Sequence, residues 1–370
     1  MIDTKQIKII LVAGARPNFM KIAPLMEAMK ACPTVSPMLI HTGQHYDEKM
    51  SDLFFRQLGI PQPDVNLGIN GGSHAVQTAE IMKAFEPIVQ AEKPAAVLVV
   101  GDVNSTIACG LVAVKLGVKL IHVEAGLRSG DRAMPEEINR LLTDAISDLL
   151  FCTERSGVEN LAREGVPGEK VFLVGNVMID TLLKNRDKAE ASAILEELDL
   201  EAGKYAVLTL HRPSNVDNAE TLAGLLDVVD VVQQRMPVVF PIHPRTRNNL
   251  PRLGLAERAG AMTNLRMIDP VGYLDFLKLT ASARIMLTDS GGIQEETTIL
   301  QVPCLTLRES TERPITAEIG SNRIVGTNPA TILAAFEEVM SQTDRSPQIP
   351  PLWDGQAARR ITKVIEEKLA

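Results

Sequence analysis

The chain has 370 residues, 45% of them hydrophobic, a net charge of -8 and only 4% aromatics. That length and apolar content support two buried cores, and the absence of basic blocks and stacking aromatics excludes a nucleic-acid interface. There is no secretory signal and no apolar span of ~20 residues, and Cys32, Cys109, Cys152 and Cys304 form no C-x-x-C pair, so a soluble cytoplasmic protein with reduced, mostly buried thiols and no membrane contact is expected.

The N-terminal half alternates short apolar runs with helical patterns. Ile7 to Ala13 reads as a strand and is followed by Gly14-Ala15-Arg16-Pro17 and a helix over Phe19 to Lys30, with Ile22, Leu25, Met26 and Met29 at helical spacing. Met38 to His41, Ala96 to Val100, Val118 to Val123, Leu149 to Cys152 and Val171 to Val174 read as further strands. Their near-continuous apolar character marks a parallel sheet covered on both faces. Glu136 to Leu149 reads as an amphipathic helix with Ile138, Leu141, Leu142, Ala145, Ile146 and Leu149 on its apolar side, Pro135 in its first turn and Glu136 and Glu137 complementing its dipole.

Thr181 to Lys204 is charged, helical and without a strand, and reads as a connector. A second alternating series follows, with strands at Ala206 to Leu210, Val238 to Ile242, Leu265 to Ile268, Arg284 to Leu287, Pro303 to Leu307 and Arg323 to Val325. The expected domains are 1–180 and 181–355, with an amphipathic C-terminal helix over about 356–370. The fold class is α/β, with two Rossmann-like doubly wound domains in tandem and a ligand cleft between their carboxyl edges.

Polar residues directly follow the strands: Arg16, Asp102, Glu124, His211, His243 and Ser290. Parallel sheets bind ligands at that edge. The string Asp289-Ser290-Gly291-Gly292-Ile293-Gln294-Glu295-Glu296 pairs a strand end with glycines and a helix start. Backbone N–H groups and the helix dipole make such a place an anion seat, suited to a diphosphate, and Glu295 and Glu296 could accept sugar hydroxyls. Arg16 and Lys21 are cations suited to phosphate oxygens, or else members of surface salt bridges. Asp102 reads equally well as a site residue or, with Asn104 and Ser105, as a cap of the next helix. Glu124 and Glu136 are paired carboxylates suited to acid and base work, with an i,i+4 pairing to Arg140 as the other reading of Glu136. His211 sits in His211-Arg212-Pro213-Ser214-Asn215, which is turn chemistry. His41 and His45, four apart around Gly43, do not form a metal-ligand pair on one helix face.

These strings together identify a family. Gly14-Ala15-Arg16-Pro17 with Lys21, Gly43-Gln44-His45, Gly101-Asp102, the stretch His122 to Arg128, Pro135-Glu136-Glu137-x-Asn139-Arg140, His211-Arg212, Thr288 to Glu296, and Thr311-Glu312-Arg313-Pro314 resemble, in this order, the non-hydrolysing UDP-N-acetylglucosamine 2-epimerases over essentially the whole chain. The resemblance implies a glycosyltransferase-B-like fold, a homodimer, and no metal or redox cofactor. It implies interconversion of UDP-GlcNAc and UDP-ManNAc by elimination and re-addition of UDP through 2-acetamidoglucal. It also assigns roles: Asp102, Glu124 and Glu136 as acid–base groups, His211 beside the diphosphate, Arg16, Ser290, Gly291 and Gly292 on the phosphates, Glu296 on the ribose, Phe276 and Val271 near uracil, Arg313 completing the pocket, and Lys21 on the substrate. His41 to His45 and Phe54 to Pro61 also resemble epimerases of UDP-2,3-diacetamido-glucuronic acid. A glycosyltransferase or a nucleotide-sugar-binding protein would share the diphosphate seat but would not need three carboxylates around C2.

Overall fold

Runs such as Ala96-Val97-Leu98-Val99-Val100 leave no polar face to turn toward water, so they fold only where helices cover both sides of a sheet. The computed structural model describes residues 6–43, 59, 62–341 and 347–370, with Arg16 and Pro17 described by their backbone alone. Gln44, His45 and most of the Phe54 to Pro61 segment lie outside the described residues. The chain divides into two compact units, Met1–Lys184 with Pro351–Ala370, and Asn185–Pro350.

The described residues of the first unit form a parallel sheet of seven strands: β1 (Ile7–Ala13), β2 (Val35–His41), β3 (Val65–Asn66), β4 (Ala96–Val100), β5 (Lys119–Val123), β6 (Leu149–Cys152) and β7 (Val171–Leu173). Their order is β3-β2-β1-β4-β5-β6-β7, so the chain reverses direction across the sheet between β1 and β4. Leu11 pairs with Leu98 and Val100 with Val123. This register brings the ends of β1, β4 and β5 to one level, and Gly14, Gly101 and Glu124 leave the sheet together at the edge where such sheets take ligands.

The second unit repeats the plan with β8 (Ala206–Thr209), β9 (Val238–Pro241), β10 (Leu265–Ile268), β11 (Ile285–Thr288), β12 (Cys304–Thr306) and β13 (Asn322–Ile324), in the order β10-β9-β8-β11-β12-β13. Thr209, Thr288 and Thr306 are in register, which levels the ends of β8, β11 and β12. Each sheet is sealed by apolar clusters, one built on Val97, Val99, Phe85 and Leu120, another on Leu208, Leu225, Phe240 and Phe336. The four cysteines are unpaired, and Cys109, Cys152 and Cys304 are buried.

The helix Ala357–Leu369 buries Ile361 and Ile365 and packs on the helix Arg16–Lys30. Its first N–H groups, from Ala357 and Ala358, donate to Asp180 at 3.1 and 2.8 Å, and the Trp353 indole N–H donates to the Thr153 carbonyl.

One sequence expectation is corrected. The helix predicted over Glu136 to Leu149 spans Pro135–Ile146, and Leu149 opens β6. Its buried side is polar, made of Glu137, Asn139, Arg140, Thr143 and Asp144, while Leu142 is 50% exposed. The polar residues turn inward because their partners lie on the loops that end β4 and β5, as described next.

Candidate active site

In the first unit the site is assembled from three strand ends and one helix. After β5, Glu124 adopts φ +71°, a left-handed backbone conformation that costs a non-glycine residue energy and is typically kept at functional positions. Its side chain is buried at 3% exposure and pairs with Lys21, itself 8% exposed, at 2.5 Å between Nζ and Oε2. After β4, Gly101 lies against this pair. A Cβ there would stand 3.4 Å from Glu124 Oε2 and 3.5 Å from Lys21 Nζ, and φ of +71° makes glycine the residue that fits. Asn18 ties the strand ends together, accepting from the Ala15 N–H at 2.8 Å and donating to the Val100 carbonyl at 3.0 Å.

Asp102 is not a helix cap. The helix Asn104–Lys115 begins after Val103 without a side-chain cap, and the Asp102 carboxylate instead pairs with Arg140. Arg140 also donates to Glu137 through Nε at 2.9 Å and Nη2 at 2.6 Å. The predicted alternative of an Arg140–Glu136 pair is therefore replaced by Glu137 and Asp102. Glu136 is half-buried and has no ion-pair partner among the described residues. Burial would raise the Glu137 carboxyl, but N–H groups of Ser129 and Gly130 and the Arg140 guanidinium hold it below the ordinary range. Arg140 thus links the loop bearing Asp102 to the helix bearing Glu136.

In the second unit, Asp289 ends β11, fully buried. Its carboxylate accepts from the backbone N–H of His211 at 3.0 Å and of Arg212 at 2.9 Å, and lies 2.8 Å from His211 Nδ1. Burial pushes Asp289 up, but the hydrogen bond and charge of His211 hold it below the carboxylate range. The His211 side chain is 40% exposed, and its ring centroid is 5.8 Å from that of His243. With Nδ1 taken by Asp289, Nε2 is the nitrogen left to face a ligand.

The helix Gly291–Leu300 starts at Ser290 without a side-chain cap, so its first-turn N–H groups are not covered by one. Three guanidinium groups stand beside that start. Arg308 binds Glu312 at 3.0 and 2.7 Å, Arg212 lies 3.6 Å from Glu312, and Arg313 pairs with Glu295 at 2.7 Å and lies 4.0 Å from Glu312. A Cβ on Gly291 would stand 3.6 Å from Arg313 Nη1. The uncovered first-turn N–H groups, the helix dipole and the Arg313 guanidinium beside Gly291 give this helix start the character of an anion seat. Despite burial, Arg308, Arg313 and Arg212 hold Glu312 far below the usual range.

The two adjacent glutamates separate here. Glu295 is turned to Arg313. Burial and the neighbouring Glu295 push Glu296 up to about 8. Tyr273 is raised by burial and by the charge of Glu296. Val271 and Phe276 are half-buried and pack on the same apolar cluster as Ile293 of the helix start.

In the first unit Lys21 and Glu124 thus meet beside Gly101, Asp102 is joined through Arg140 to the helix that carries Glu136, and Arg16 stands at the first position of the helix Arg16–Lys30. His211, Ser290, Gly291, Gly292, Glu296, Val271, Phe276 and Arg313 belong to the second. Sequence reasoning did not assign roles to Asn18, His122 or Asp144, and gave Glu137 only a place at the helix dipole. His122 carried a signal, since a polar side chain within Leu120-Ile121-His122-Val123 must find a buried partner. Asp144 carried none.

The family model for UDP-N-acetylglucosamine 2-epimerase matches residues 27–366. The chain is 40% identical to the UDP-N-acetylglucosamine 2-epimerase of Methanocaldococcus jannaschii, over 97% of this chain and 98% of that protein. It is also 40% identical to the UDP-2,3-diacetamido-2,3-dideoxy-D-glucuronate 2-epimerase of Pseudomonas aeruginosa, over 97% and 99%. The crystal structure of the M. jannaschii enzyme in complex with UDP-GlcNAc and UDP superposes with a TM-score of 0.91 at 40% identity, covering 97% of this chain and 99% of that one. The fold class is the expected α/β, glycosyltransferase-B-like one, and the chain belongs to the UDP-N-acetylglucosamine 2-epimerase family.

Proposed function

We propose that this family member is a non-hydrolysing isomerase that interconverts UDP-GlcNAc and UDP-ManNAc. The observation that carries the reading is the division of chemistry between the units, an anion seat at Ser290-Gly291-Gly292 in one and carboxylates with a buried lysine at three strand ends in the other. The C2 proton of the sugar is a poor acid. Its removal calls for a positioned base and for stabilisation of charge on departing UDP.

In this reading a carboxylate among Asp102, Glu124 and Glu136 takes the C2 proton while the bond from C1 to the UDP oxygen breaks, leaving a C1–C2 double bond in 2-acetamidoglucal. The helix start, Arg16 and His211 stabilise the charge on the leaving diphosphate, and Arg313 supports the helix start through Glu295. UDP then re-forms the bond to C1, and a proton is delivered to the opposite face of C2. Glu296 serves the ribose, Val271 and Phe276 the uracil, and Lys21 holds Glu124 and meets the substrate. The reaction needs no external oxidant or cofactor, since UDP leaves and returns and one proton is gained at C2 for the one lost, with no net change of oxidation state.

Two further readings belong with this one. The chain works as a homodimer, supported by the apolar side of Pro135–Ile146 that the protomer leaves uncovered at Leu142, with Val114 (38% exposed) on the neighbouring helix. It works in the cytoplasm, supported by its four unpaired cysteines; among the described residues no helix is long and apolar enough to cross a membrane. The relative that acts on UDP-2,3-diacetamido-2,3-dideoxy-D-glucuronate is as similar as the one that acts on UDP-GlcNAc, which makes that sugar the second candidate. The test is incubation of purified protein with each UDP-sugar and analysis of products by NMR. Formation of UDP-ManNAc from UDP-GlcNAc without free sugar supports the first reading; turnover of the diacetamido-glucuronate alone supports the second.

A further inference from the structure

His122 is fully buried on β5, two residues before Glu124. Its Nε2 lies 2.9 Å from the Gly101 carbonyl and its Nδ1 2.6 Å from Asp144 Oδ1. A carbonyl only accepts, so Nε2 carries a proton. Asp144 accepts in turn from the Gly126 N–H at 2.9 Å and pairs with Arg128 at 2.7 Å through its other oxygen. Burial would raise Asp144, but His122 and Arg128 hold it below the carboxylate range. The ring is therefore hydrogen-bonded on both sides, to the Gly101 carbonyl through Nε2 and to the Asp144 carboxyl through Nδ1.

This pair touches every element that carries a candidate acid–base group. The Gly101 carbonyl belongs to the peptide that joins Gly101 to Asp102. The N–H of Gly101 donates to Val123, so this glycine is held at both ends. Gly126 follows Glu124 by two residues. Asp144 lies on the helix that presents Glu136. The bonds thus run from the Asp102 loop through His122 and Asp144 to the Glu124 turn and the Glu136 helix, behind the carboxylates.

We propose that His122, held between the Gly101 carbonyl and Asp144, is a positioning residue that fixes the Asp102, Glu124 and Glu136 elements relative to one another. It acts through hydrogen bonds and touches no substrate. A group displaced by about 1 Å can lose ~10²-fold in rate while binding elsewhere persists, which sets the expected size of the effect.

The inference rests on the epimerase reading, and wild-type turnover in the same assay tests that reading separately. Two variants test the inference itself. His122→Phe keeps a ring but removes both hydrogen bonds. The double variant His122→Gln with Asp144→Asn re-creates the bonds without charge: the glutamine amide donates to Gly101, the asparagine amide donates to the glutamine oxygen, and the asparagine oxygen still accepts from Gly126. The expected result is a ~100-fold fall in kcat for His122→Phe, UDP affinity and KM within threefold of wild type, and a double variant within tenfold of wild-type kcat. A folded His122→Phe protein with kcat within threefold of wild type overturns the proposal. So does a folded double variant as impaired as His122→Phe, a loss of UDP affinity that matches the loss of kcat, or failure of both variants to fold, which would make the pair a requirement of the fold alone.

Discussion

Asp289 holds His211 at two points, its backbone N–H and its Nδ1, and accepts also from the N–H of the next residue, Arg212. The strand end β11 thereby sets both the tautomer and the direction of a histidine that closes β8, 78 residues earlier in the chain. Asp289→Asn keeps the size of the side chain but loses its charge. We expect kcat to fall by ~10²-fold or more while the protein stays folded, because His211 is then free to present the wrong nitrogen to the diphosphate. Steady-state kinetics beside UDP titration check this.

Asp102→Asn and Glu136→Gln are each expected to lower kcat by ~10²–10⁴-fold with UDP affinity retained, since a positioned proton-transfer group contributes about that much and the anion seat lies in the other unit. Calorimetric UDP binding and product NMR on the same samples separate the two effects.

Lys21 and Glu124 form a buried pair at a strained turn. Breaking a buried ion pair is strongly destabilising, so Lys21→Met is expected to destabilise the first unit by about 3 to 5 kcal/mol. Urea unfolding measures this.

Glu296 gives the unliganded protein a pH signature. Its carboxyl is raised from an ordinary value of 4.5 to about 8 by burial and by Glu295. A carboxyl that holds its proton more tightly when folded contributes stability that is fully present below about pH 4.5 and is lost as pH rises through about 8. Thermal stability of the unliganded protein should therefore decline across that window more steeply than in Glu296→Gln, where nothing titrates at this position. Differential scanning fluorimetry from pH 5 to 9 compares the two.

Leu142→Glu places a charge on the uncovered apolar side of Pro135–Ile146. Sedimentation velocity is expected to show a dimer for wild type and a monomer for the variant.

The strand ends were legible because buried parallel strands are apolar runs, so each interruption by a polar residue marks an edge. That reasoning reached Asp102, Glu124, His211 and Ser290. It did not reach β3, whose two residues, Val65 and Asn66, carry no pattern. It misjudged the helix Pro135–Ile146, because local periodicity registers the stripe of Ile138, Leu141 and Leu142 and cannot register that Glu137, Arg140 and Asp144 have partners outside the helix, at Gly130, Asp102 and His122. Glu295 and Glu296 are neighbours of one type, and the pairing of Glu295 with Arg313 lies beyond any helical spacing.

The measurement that bears most directly on this account follows the C2 proton. UDP-GlcNAc is incubated with the protein in heavy water, and the recovered UDP-sugars are examined by proton NMR. The account predicts UDP-ManNAc together with loss of the C2 proton signal as solvent deuterium enters. UDP-ManNAc that keeps its original C2 proton would contradict proton transfer through the carboxylates, and no epimerised product or C2 exchange with either UDP-sugar would contradict the epimerase reading itself.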